Sequence, residues 1–116
     1  MKVGLYDNGL NCLVSLMHRE LERNGHAVRS HDCVCRYGKC YSEDVIVIHP
    51  STTNTYGCWD KIRDVVLHNR EKQFYVFAYG SPERKEYIGE HENLVFIDGT
   101  NFIDVMEKLL GDLPRE

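Results

Sequence analysis

The side chains best suited to chemistry gather in two parts of this 116-residue chain. One is the run His31, Cys33, Cys35 and Cys40, four potential metal ligands within ten residues. Thiolate and imidazole are the ligand types that zinc prefers. The spacing lacks the Cys-x-x-Cys pair of a knuckle. Along an extended strand His31, Cys33 and Cys35 would share one side, with neighbours roughly 7 Å apart, twice the rise per residue. That is too far for a closed tetrahedral site unless the chain turns. Free thiols in a loop are the simpler reading, and a regulated disulfide between Cys35 and Cys40 is another. The second part is a set of polar residues that follow apolar runs: Asp7 and Asn8, His49 with Ser51 and Thr52, and Tyr79. His49 could accept a phosphoryl group or gate a pocket. Nothing beside it in sequence supplies a base or an orienting group, so a hydrogen-bonded, inert histidine is the alternative. The hydroxyls of Ser51 to Thr55 could hold a phosphate, but no Gly-rich cradle accompanies them. A solvated loop capping the next helix accounts for them equally.

These residues need elements to position them. Lys2 to Tyr6 reads as a first strand, followed by the Asp7-Asn8-Gly9 turn. Leu10, Leu13, Val14, Met17 and Leu21 recur at helical spacing, and Asn24-Gly25 stops that helix. A second strand covers about His26 to Asp32. The continuous apolar run Val45 to His49 marks a buried parallel strand. Gly57 to His68 reads as a helix, Phe74 to Tyr79 as a fourth strand, and Leu94 to Ile97 as a fifth. Ser81 and Pro82 open a helix between those two strands. Phe102, Val105, Met106, Leu109 and Leu110 form the stripe of a last helix. Alternating strands and helices predict an α/β three-layer sandwich: a five-stranded parallel sheet of flavodoxin-like order 2-1-3-4-5, with the second helix short or missing. That order gathers Asp7, Asn8, His49, Ser51, Thr52, Phe77, Tyr79 and Asp98 at one rim of the sheet.

Composition narrows the function classes. The length suits one domain spanning 1–116. A net charge of −4 with mixed signs argues against nucleic acid as a partner. No apolar run is long enough to predict a membrane span or a signal peptide. Five cysteines, an odd number, favour a reducing compartment, hence a cytoplasmic protein.

The third strand carries a resemblance. Asp44-Val45-Ile46-Val47-Ile48-His49, a Pro-containing loop, and Gly57 eight residues after His49 resemble the receiver domain of two-component response regulators. Ile62-Arg63 and Phe77-Ala78-Tyr79-Gly80 are similar to that family's Ile-Arg and Thr-Ala-Tyr-Gly. Against the family pattern, His49 stands at the phosphoacceptor Asp and Phe77 at the hydroxyl residue. Gly99, or Asp98 beside it, stands at the Lys, and Asp7 alone represents the acidic pair. The resemblance therefore implies a pseudo-receiver: a regulatory signalling domain without aspartyl phosphorylation, with no cofactor and no catalytic residue. It implies a protein partner, with a second copy of the chain as one candidate, met through the last two helices and the fifth strand, where Tyr87, Ile88 and Phe102 fall. Two other classes stay open: a small ligand-binding or enzymatic module at the rim, and a thiol or zinc redox sensor at residues 31–40.

Overall fold

The computed structural model describes residues 1–7, 12–31, 43–49, 56–78, 82–98 and 102–112, with backbone alone for 12, 13, 56–58 and 102. Five strands and four helices alternate among them: β1 (Lys2–Asp7), α1 (Cys12–Arg23), β2 (Ala27–His31), β3 (Val45–His49), α2 (Tyr56–His68), β4 (Gln73–Phe77), α3 (Pro82–Ile88), β5 (Leu94–Ile97) and α4 (Phe102–Asp112). The strands form one parallel sheet in the order β2-β1-β3-β4-β5. Sheet type and order match the sequence expectation. The question of a helix between the second and third strands falls on residues outside the described set.

Period-two alternation divides the strand side chains between two layers. Val3, Leu5, Val45, Val47, Tyr75 and Phe77 pack against Val14, Met17 and Leu21 of α1 and Val105, Met106 and Leu109 of α4. On the other face Tyr6, Ile46, Ile48, Phe74 and Val76 meet Trp59, Ile62, Val65 and Val66 of α2 and Ile88 of α3. Every residue of β3 is buried, which is why its sequence is an unbroken apolar run rather than an alternating one. β2, at the sheet edge, is half exposed and correspondingly polar.

The element ends are fixed locally. α1 stops where Gly25 takes a left-handed φ of 90°, a conformation that costs a residue with a Cβ. The His26 N–H then donates back to the Leu21 carbonyl at 3.1 Å, and the Asn24 side chain donates to the Glu20 carbonyl at 2.8 Å. α4 is tied to the sheet by the Tyr75 hydroxyl, which donates to Asp112 at 3.3 Å. Burial and that carboxylate push the Tyr75 hydroxyl up to about 12. Gly4 in β1 leaves room for a neighbour: a Cβ there would lie 3.1 Å from the Glu43 carboxylate.

Candidate functional site at the strand ends

β1 and β3 are neighbours in parallel register, and their final residues, Asp7 and His49, are direct partners. The backbone therefore brings a carboxylate and an imidazole to one rim. His49 Nδ1 lies 3.4 Å from Asp7 Oδ1, with the side chains only 9% and 10% exposed. That spacing is an electrostatic contact rather than a short hydrogen bond. The imidazole also leans on Phe77 at the end of β4, with ring centroids 5.1 Å apart and tilted by 58°. Burial pushes the His49 pKa below its ordinary value, and the positive charge of Arg84 acts in the same direction. Asp7 pulls the other way without reversing the shift. His49 is thus a neutral imidazole at neutral pH, set against a carboxylate and an aromatic wall.

Asp7 is the orienting group that inspection along the sequence did not supply for His49. It comes from a distant part of the chain, and strand register was the signal that could have found it. Two cations were also missed. Arg84 on α3 stacks its guanidinium over Trp59, 5.4 Å from the ring centroid. Its neighbour Lys85 pairs with Asp98, just past the end of β5, at 2.5 Å. The positive charge beside β5 therefore arrives from α3 and not from the strand's own turn. Asn8, Ser51, Thr52 and Tyr79 lie outside the described residues.

The expected partner surface divides. Tyr87 is half-buried, with its hydroxyl hydrogen-bonded to Asp60 and the Arg63 guanidinium 4.9 Å from its ring centroid. Trp59 packs against it at 5.7 Å. Ile88 is 2% exposed and belongs to the core between α3 and the sheet, so it anchors the helix instead of meeting solvent. Phe102 opens α4, and its side chain lies outside the description.

The histidine of the 31–40 segment has a partner that sequence spacing did not suggest. His31 Nε2 contacts Oε1 of Glu43, and its ring stacks on Tyr6 with centroids 4.5 Å apart and an interplanar angle of 21°. Cys33, Cys35 and Cys40 lie outside the described residues, which hold no group of three or more metal-ligating side chains.

Sheet order, strand register and helix placement together define a flavodoxin-like fold of the receiver type, and the solved structures of similar fold include a response-regulator receiver domain. Chemotaxis protein CheY4 of Vibrio cholerae superposes with a TM-score of 0.69 at 16% identity, over 97% of this chain and 98% of that one. The receiver domain of Francisella response regulator 1452 gives 0.66 at 16% identity, over 94% and 93%. RcsB from Salmonella enterica serovar Typhimurium, solved bound to the promoter rprA with a phosphomimetic, gives 0.68 at 14% identity, over 97% of this chain and 68% of that chain. No protein-family model matches the sequence, and no curated protein matches it.

Proposed function

We propose that this chain is a cytoplasmic, single-domain signalling module of receiver type that acts by contact with a protein partner and lacks aspartyl phosphorylation. The observation that carries the reading is the residue at the end of β3. A receiver-type switch needs a carboxylate nucleophile there, close to further carboxylates that hold Mg²⁺ through hard oxygen ligands. Here that position is a buried, neutral imidazole contacting Asp7. The other described carboxylate at this end of the sheet, Asp98, is paired with Lys85. One carboxylate beside an imidazole and a phenyl ring is a poor donor set for Mg²⁺, and the described residues do not fit that ion. The partner face on this reading is that of the last two helices and β5, with Tyr87 of α3 on it, and a second copy of the chain is one candidate to meet it.

The test is an amide ¹H–¹⁵N spectrum with and without Mg²⁺ plus acetyl phosphate. Only weak ionic effects are expected. Large shifts centred on Asp7, His49 and Phe77 would overturn the reading and establish phosphoryl chemistry at this rim.

A further inference from the structure

We propose a second, independent site, a pocket for a free amino acid beside Glu43 on the face of β1 and β2. A cavity of about 200 Å³ is lined by Lys2, Ala27, Val28, Arg29 and Glu43. It lies toward the starts of the strands, away from the Asp7–His49 rim, since Lys2 and Ala27 are paired first residues of β1 and β2. At ~30 Å³ per water it has room for about seven waters, a volume suited to a small metabolite and not to a nucleotide.

The chemistry of the lining is specific. Glu43 is 4% exposed, and its carboxylate lies flat on the sheet because Gly4 has no Cβ to hold it off. Oε1 is engaged by His31, while Oε2 has no hydrogen-bond partner among the described residues. A buried carboxylate oxygen without a donor is costly and seeks one. Burial raises the Glu43 carboxyl, but the His31 contact and the charge of Arg29 outweigh it and hold the group below the usual value, so it is ionised. Lys2 and Arg29, both exposed, line the same cavity, and among the described residues neither is engaged in an ion pair. One half-satisfied carboxylate next to two cations outside any ion pair among the described residues complements a zwitterion. An ammonium donates to Glu43 Oε2 while a carboxylate accepts from Arg29 and Lys2. A plain anion meets Glu43 and a plain cation meets Lys2 and Arg29, so each alone is disfavoured. The size of the cavity points to a small α-amino acid. This site does not depend on the signalling role.

The experiment is an amide ¹H–¹⁵N titration of the full chain with a panel of free amino acids at millimolar concentration, with acetate and methylammonium as controls. Saturable shifts at Lys2, Val28, Arg29 and Asp44 are expected for at least one small amino acid, with Asp7 and His49 unmoved. Glu43→Gln and Arg29→Ala should each weaken binding by about tenfold or more, the worth of one charge-assisted hydrogen bond. Arg29 is exposed, so its variant folds even if Glu43→Gln does not. Absence of saturation across the panel, equal shifts with acetate alone, or undiminished binding by Arg29→Ala would each overturn the proposal.

Discussion

Asp7 acts on the ionisation of His49. Asp7 raises the His49 pKa against the stronger downward pull of burial. Asp7→Asn therefore lowers the His49 titration midpoint further, which an NMR titration of the imidazole protons would record; an upward move would mean that the contact is not made in solution. The same shift has a consequence for stability. The folded pKa lies below the ordinary 6.5, so as pH falls past 6.5 the unfolded chain takes up a proton that the folded chain refuses. This contribution is complete above pH 6.5 and is lost as pH drops toward the folded pKa. Urea midpoints should decline over that window in the parent chain, and His49→Asn should flatten the decline. What sequence made legible at this scale was that His49 ends a buried strand. The expected sheet order also put Asp7 at the same rim, but their direct pairing required the strand register. Lys85 with Asp98 and His31 with Glu43 were hidden for the same reason, since each pair joins residues twelve or more apart.

Strands and helices were legible where burial dictates composition. The run Val45–His49 is apolar throughout because both of its faces are covered, and the stripes of α1 and α4 have helical period because each buries one face. β2 was harder to bound. As a half-exposed edge strand it carries Arg29, Ser30 and His31, and it starts at Ala27, one residue later than the sequence suggests. α3 has seven residues with Ile88 as its buried anchor, so little periodicity marks it. Gly4 shows how a strand residue can be selected by what lies above it. Gly4→Ala would place a Cβ 3.1 Å from a carboxylate already held by His31. The expected cost is about 1–3 kcal/mol, typical of overpacking a filled site, read as a fall in the urea midpoint at unchanged m-value. A neutral result would show that the Glu43 carboxylate moves aside freely.

For the whole molecule, receiver architecture persists at 14–16% identity because the two core layers ask for apolar residues at the right alternation and not for particular ones. The chemistry at the rim is free to differ while the sheet stays the same, so the fold was the most legible part and the function the least. Sheet order also sets a hierarchy in time. β3 is fully buried between two strands, whereas β2 is half exposed and has a hydrogen-bonded neighbour on one side alone. Amide deuteration should therefore reach β2 first and β3 last, the latter only as the whole chain opens. The Asp7–His49 pair then rests on the slowest-exchanging strands, while the His31–Glu43 contact bridges the fastest strand to the segment leading into the slowest. Rim geometry would outlast local opening, and the Glu43 cavity would breathe with the sheet edge.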